Sequence, residues 1–343
     1  MHRFEWLNAT SEAEAAGSGA TTVASAMIAP TGGRVSQDAI VFKAGGIDFL
    51  DLMKEDLLQP RRVVNLRGIA GLDQIIEQSD GTVRVGAMVL LATLASNPVI
   101  LQRYAALASA AGNSASPQIR NVATLGGNLL QRPRCWYFRS ARHDCVRKGG
   151  ETCFAFGGEN QYHAIFDQNG CAMVHPSTAA TAVVALGAKV VLVNAEGQRR
   201  EVLLEEFYLL PDKDIHRESD LRPGEILTAV VLPKLVPGIH SVHLKQGEKD
   251  SFDWPIADVA VLLDCDPGGV CRQASIVLGS AAPVPHRAKA AEAALRGKPV
   301  NEHSARDAAH AALAGAAPLS KNAYKLPIFE TLVRRAILAV ATA

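Results

Sequence analysis

The chain has 343 residues, 48% of them hydrophobic and 20% charged, with a formal net charge of +1. That composition excludes intrinsic disorder, and the near-neutral balance excludes a global field that would draw nucleic acid or an anionic membrane. No apolar run reaches the roughly 20 residues of a membrane-spanning helix, and Met1-His2-Arg3-Phe4-Glu5-Trp6 lacks the basic-then-apolar layout of a signal peptide, so the sequence predicts a soluble cytoplasmic protein of two or three domains.

In chain order, Ile40–Lys43 reads as a short buried strand. It runs through Ala44-Gly45-Gly46-Ile47 into a helix that Asp48 would cap, with Leu50, Leu52 and Met53 as its apolar positions. Arg62–Asn65 and Val83–Gly86 are predicted strands. Leu91–Leu94 and Val99–Ala111 are predicted helices, and Ile119–Asn128 a loop with paired glycines. Residues 131–171 have neither helical nor strand periodicity. Thr178–Leu186 then reads as a helix, Lys189–Val193 as a strand, Glu196-Gly197 as a hairpin turn, and Gly224–Leu227 as the approach to a strand ending at Pro233. Pro233 to Gly238 is the predicted linker. Beyond it, Asp258–Asp264 and Ala274–Leu278 alternate like strands, and Ala288–Leu295 and Ala305–Ala316 are Ala-rich helices. The expected fold class is α+β, with a C-terminal domain from about residue 236.

Three features carry chemistry. Lys43-Ala44-Gly45-Gly46-Ile47-Asp48 leads a strand through paired glycines into a helix, which exposes backbone amides at the positive end of a helix dipole and suits a diphosphate. It matches neither the Rossmann nor the P-loop spacing, and by itself describes a tight turn better than a ligand loop. Thr124-Leu125-Gly126-Gly127-Asn128 repeats the paired glycines about 80 residues on, and two such loops would clasp the ends of one extended ligand. The third feature is thiol-rich: Cys135, Cys145, Cys153 and Cys171 fall at intervals of ten, eight and eighteen residues. No tight Cys-x(2–4)-Cys pair of a structural zinc site is present. Wide spacing suits an iron–sulfur cube, whose negative charge Arg132, Arg134, Arg139, Arg142, Arg147 and Lys148 would balance. His143 and His163 read as hydrogen-bonded imidazoles, and Cys265 and Cys271, flanking Asp266-Pro267-Gly268-Gly269, as inert thiols.

Taken in order, residues 43–48, residues 119–128, His175-Pro176-Ser177 and Pro223-Gly224-Glu225-Ile226-Leu227 resemble the FAD-binding subunits of the xanthine dehydrogenase and carbon monoxide dehydrogenase family. The resemblance spans nearly the whole chain. It implies a two-part FAD-binding domain over residues 1–235 (parts at about 1–65 and 66–235), of the type shared with UDP-N-acetylenolpyruvoylglucosamine reductase, and an α+β domain over 236–343. By resemblance, residues 43–48 hold the FAD diphosphate, while Thr124, Gly126, Gly127 and Asn128 contact the flavin and its chain. Ser116, Ile119 and Arg120 approach that loop. Ser177 stands at the serine of a Pro-Ser-Asp motif in which Thr178 replaces the aspartate. Ile226 and Leu227 match apolar residues near the isoalloxazine, and Lys245 matches a basic residue associated with FAD.

The segment 131–171 is similar to an insertion in one branch of the family, that of bacterial aromatic-aldehyde oxidoreductases and 4-hydroxybenzoyl-CoA reductase, where it binds a [4Fe–4S] cluster. Cys135, Cys145, Cys153 and Cys171 would be the ligands. The resemblance implies an electron-transfer subunit without a catalytic residue for the organic substrate. Electrons would come from molybdenum through [2Fe–2S] centres, these and the molybdopterin cofactor lying on a small and a large partner subunit, and would leave for an external acceptor. A 4-hydroxybenzoyl-CoA reductase-like subunit, a stand-alone flavin reductase and a zinc-stabilised scaffold are the competing readings. Because the insertion separates two stretches that other members join directly, the flavin fold is expected not to require it.

Overall fold

Strands β1 (Glu5–Asn8), β2 (Ile40–Lys43) and β3 (Arg62–Asn65) form a small parallel sheet in the order β1-β3-β2. Parallel neighbours need long connections, and the one from β2 to β3 carries the helix Ile47–Lys54. A second, antiparallel sheet takes the order β4-β5-β8-β6-β7, from β4 (Ile75–Glu77), β5 (Val83–Gly86), β6 (Lys189–Val193), β7 (Arg199–Leu203) and β8 (Ile226–Leu232). The third sheet, also antiparallel, takes the order β12-β11-β10-β9, from β9 (Ile239–Gln246), β10 (Ala257–Cys265), β11 (Cys271–Gly279) and β12 (His286–Arg287). This computed structural model describes residues 2–29, 33, 35–236, 238–249 and 252–341. Of the predicted linker, Pro237 lies outside the described residues.

The largest core lies between the second sheet and the helices Leu91–Ser96, Ala105–Gly112 and Thr178–Ala185, and it reaches Ala260 and Val277 of the third sheet. Alanine dominates both long helices facing it, which lets helix and sheet approach closely at little loss of side-chain entropy. A separate core under the third sheet is closed by the helix Lys325–Ala341, with Phe329, Val333 and Ile337 fully buried.

Three expectations are corrected. Val99–Ala111 is two helices, Pro98–Arg103 and Ala105–Gly112, with Tyr104 between them at φ −132° and ψ 52°. The Tyr104 ring is wholly buried and its hydroxyl donates to the Pro233 carbonyl at 2.8 Å, so a tertiary anchor overrides local helix propensity. Residues 119–128 are not one loop: Thr124 caps a short helix, Leu125–Leu129, by accepting from Gly127 N. Asp48 does not cap its helix, since Gly46 occupies the cap position and offers no side chain. In that helix Phe49, Leu52 and Met53 are buried while Leu50 is exposed.

The insertion is built into two cores. Phe138 and Cys145 join Val41, Leu52 and Met53 beside the first sheet, while Ile165 and Phe166 join the core of the third. Burying Phe138 alone contributes about 1.5–3 kcal/mol.

Lys325 begins the last helix with no exposed surface, its Nζ donating to the carbonyls of His163 (3.1 Å) and Ser280 (2.5 Å). Burial pushes its pKa down to about 7, against the opposing pull of Asp258. The unfolded chain therefore holds the extra proton between that value and the ordinary lysine range, and stability should rise with pH from about 7 upward. Melting curves from pH 7 to 10 should show this rise, at most about 1.4 kcal/mol per pH unit from this group. Lys325→Met should flatten it; an equal slope in both proteins would assign the effect elsewhere.

Candidate functional site

Where the three sheets converge there is one large cavity of about 520 Å³. Its wall takes Ala44–Asp48 from the end of β2, Gly126–Asn128 from the capped helix, Ile226 and Leu227 from β8, and Lys245 from β9. Both glycine loops thus face one space. Gly46, at φ +94°, turns the chain into the helix Ile47–Lys54, and with no side-chain cap the first-turn amides of that helix remain available to a ligand. At the second loop Thr124 already satisfies the Gly127 amide.

The paired glycines also answer a demand from the protein itself. A Cβ on Gly45 would stand 2.3 Å from the Val122 carbonyl oxygen, and one on Gly126 would stand 2.8 Å from Ala87 Cβ. The first loop is therefore packed against the backbone of residues 122–123, where Gly45 sets the separation, while Gly126 lies against Ala87.

Of the other expected contacts, some lie behind the wall and some in it. Ser177 Oγ donates to Asn128 Oδ1 at 2.6 Å and accepts from Ala180 N, so it fixes Asn128 rather than facing the cavity. Ser116 accepts from Ile119 N, and Arg120 donates to the carbonyls of Ser114 and Ala115, holding Ala115 at φ +47°. Ile119 reaches the wall. Lys43 points its Nζ at Asn65 Oδ1 (3.4 Å) and over the Trp6 ring. Lys245 donates to the Asn113 carbonyl at 3.0 Å, and burial lowers its pKa. Thr178, at the departure from the Pro-Ser-Asp motif, lines the cavity with its hydroxyl 2.5 Å from that of Ser114.

Sequence reasoning missed several residues of the wall. Gln131, Arg132 and Arg134 come from the insertion, Glu218 from the β7–β8 connection, and Phe252 and Trp254 from the segment after β9. The Arg134 guanidinium lies over the Trp254 ring at 4.8 Å. Asp48 is committed to the insertion: it accepts from Arg132 N at 2.9 Å and pairs with Arg134 (2.9 Å) and Arg139 (2.6 Å). The insertion is in contact with the flavin fold, because the helix that carries the first glycine loop is tied to residues 132–139. No local pattern signals these contacts, which join positions more than 80 residues apart.

The four cysteines of the insertion come together. Cys135, Cys145, Cys153 and Cys171 are all free and all line a second, small cavity of about 20 Å³, with Arg147 also in its wall. Among the described residues, no three His, Cys, Asp or Glu side chains are disposed to hold a single metal ion. Four thiols around one void are a donor set that an iron–sulfur cube takes as four thiolates and that a four-cysteine zinc site takes as well. Burial pushes the Cys135 thiol up to about 12 and raises Cys145 as well. Cys171 is held down at about 6, first by a hydrogen bond from Cys153 and then by the Arg147 guanidinium. His163 Nε2 lies 3.2 Å from Cys135 Sγ, in hydrogen-bonding range as an imidazole and not in the place of a thiol ligand. Cys265 and Cys271 face each other across the β10–β11 hairpin, away from this cavity.

The model of the FAD binding domain in molybdopterin dehydrogenase matches residues 3–235, and that of the CO dehydrogenase flavoprotein C-terminal domain matches residues 242–340. The chain belongs to the family of FAD-binding subunits of the molybdenum hydroxylases, and is an oxidoreductase component. It is 35% identical over 287 residues to the aldehyde oxidoreductase FAD-binding subunit PaoB of Escherichia coli K12, covering 83% of this chain and 86% of that one. It is 27% identical to the carbon monoxide dehydrogenase medium chain of Hydrogenophaga pseudoflava, covering 90% and 91%. A solved structure of carbon monoxide dehydrogenase from Hydrogenophaga pseudoflava superposes with a TM-score of 0.73 at 27% identity, covering 99% of this chain and 98% of that one. No described helix is long and apolar enough to cross a membrane.

Proposed function

We propose that the chain is the FAD-binding electron-transfer subunit of a heteromeric, molybdenum-dependent aldehyde oxidoreductase, with a [4Fe–4S] cluster on Cys135, Cys145, Cys153 and Cys171. The observation that carries the reading is the single cavity walled by both glycine loops, in a chain 35% identical to an aldehyde oxidoreductase FAD-binding subunit. Support for the cluster is the convergence of four free thiols on one void that no carboxylate lines.

Bound FAD would supply two-electron redox chemistry. The chain's part is to hold and tune it. The first-turn amides of Ile47–Lys54 would face the diphosphate, and Thr124, Gly126, Gly127 and Asn128 the flavin and its chain, with Ser177 fixing Asn128. Ile226 and Leu227 would shield the ring from water, and Lys245 would place a positive charge beside it. Lys43, Ser116 and Arg120 would act from behind the wall. Large molybdopterin-bearing and small [2Fe–2S] subunits would be the electron source, and an external acceptor the sink.

Co-expression with both partners should give a complex with flavin absorption, a broad iron–sulfur background and aldehyde turnover, while the isolated chain should oxidise no aldehyde. Turnover by the isolated chain would sink the subunit reading. Flavin absorption without iron would sink the cluster alone. Among the described residues no His or Cys lines the large cavity, so FAD should be bound noncovalently and leave the polypeptide on acid precipitation. Flavin retained in the pellet would contradict that.

A further inference from the structure

Between the two cavities lies a buried charged bridge. Glu218 forms an ion pair through one carboxylate oxygen with Arg132, whose Nε lies 3.2 Å away, and accepts a hydrogen bond from Arg147 Nη1 on the other at 2.9 Å. The Arg132 side chain is 3% exposed and that of Arg147 1%. Arg132 and Glu218 line the large cavity, whereas Arg147 lines the thiol void and lies against Cys171. One carboxylate thus ties a wall residue of each cavity together.

The bridge is short of negative charge. Around it Arg132, Arg134, Arg139 and Arg147 face Asp48, Asp51 and Glu218, four guanidiniums against three carboxylates. All three guanidinium nitrogens of Arg132, Nε, Nη1 and Nη2, are buried without a hydrogen-bond partner among the described residues, as are Nε and Nη2 of Arg147. A buried cation left with unused donors is destabilising unless an anion completes it. Asp48 already serves Arg134 and Arg139, so the completing anion must come from a cavity.

Resting on the proposed cofactors, we infer that Arg132, Glu218 and Arg147 couple the two sites, so that the cluster and FAD each strengthen binding of the other. A thiolate-ligated cube beside Arg147 orders a segment whose only helical turn is Val146–Lys148, since metal binding supplies folding free energy. Ordering Arg147 holds Glu218, and Glu218 holds Arg132 in the wall with its free donors ready for an anionic group such as a diphosphate. Two anionic ligands would otherwise repel; with the bridge between them, each meets a cation already in place. The effect is reciprocal by linkage.

The test compares FAD dissociation constants of the full chain in its iron-loaded and chelator-depleted forms. The native chain should bind FAD about tenfold more tightly when loaded, a coupling in the usual allosteric range. Glu218→Gln, which keeps the shape and removes the charge, should shrink that ratio below about twofold. Should Glu218→Gln fail to accumulate, Arg132→Gln cuts the bridge while leaving the Arg147–Glu218 pair neutral. It will lower FAD affinity outright, but the loaded-to-depleted ratio is the readout. An unchanged ratio in these variants, or a native ratio near one in a chain carrying about four irons, overturns the bridge and leaves the cluster reading standing. A native chain that takes up no iron and sulfide overturns the cluster reading and the bridge with it.

Discussion

Gly45→Ala is expected to weaken FAD binding about a hundredfold while leaving the overall fold intact. The added methyl would stand 2.3 Å from the Val122 carbonyl oxygen and 3.2 Å from its carbon, and both obstacles are backbone. Neither can rotate away, so the loop at residues 44–48 must shift outward. Hydrogen bonds to charged groups contribute about 1.5–3 kcal/mol each, so misplacing two amides accounts for a loss of this size. Overpacking of this kind costs about 1–3 kcal/mol of stability, and far-UV circular dichroism should stay near that of the native chain. Gly46→Ala should be milder, about tenfold. Its methyl would meet Lys43 Cε at 2.8 Å, the flexible end of a side chain, and the strain comes from φ +94°. Titration of FAD into both variants decides the order. A Gly45→Ala chain with native FAD affinity would mean that residues 44–48 form a wall without holding the ligand.

This ordering differs from what the sequence alone suggests. Paired glycines before a helix point to a phosphate cradle, and the cavity does lie there. The sequence hides the fact that Gly45 is needed first by Val122, about 77 residues away, because close backbone approach leaves no periodic signature. Short strands such as Ile40–Lys43, Arg62–Asn65 and Val83–Gly86 were legible because their apolar runs are bounded by turn residues. The long helix Lys325–Ala341 went unread as an element, although Phe329, Leu332, Val333, Ala336, Ile337 and Val340 form a buried stripe at helical spacing. The cysteines were legible as a set from their spacing, and all four meet. Arg132 and Arg139 were visible only as charge. Their partners, Glu218 and Asp48, lie 86 and 91 residues away, and only the folded chain brings them within reach.

Cys145→Ser is expected to remove the cluster, open residues 131–171 to proteolysis and weaken FAD binding by roughly tenfold without abolishing it. Cys145 is buried in the same core as Phe138, Val41 and Leu52, so the smaller, more polar serine also loosens the face on which the helix Ile47–Lys54 packs. That helix carries the first-turn amides of the glycine loop, and its Asp48 receives Arg132 N, Arg134 and Arg139 from the insertion. Slackening of residues 132–139 therefore reaches the flavin wall through Asp48 as well as through Glu218. The loss remains partial because Gly126–Asn128, Ile226, Leu227 and Lys245 are held by the second and third sheets, which the insertion does not build. Iron content, FAD dissociation constant and protease sensitivity of the segment, measured together, separate the possibilities. Iron retained at about four per chain would remove Cys145 from the ligand set. Iron lost with native FAD affinity would show that the arginine–carboxylate contacts hold the wall without the cluster. Complete loss of FAD would mean that the flavin wall cannot form unless the cluster orders the insertion first.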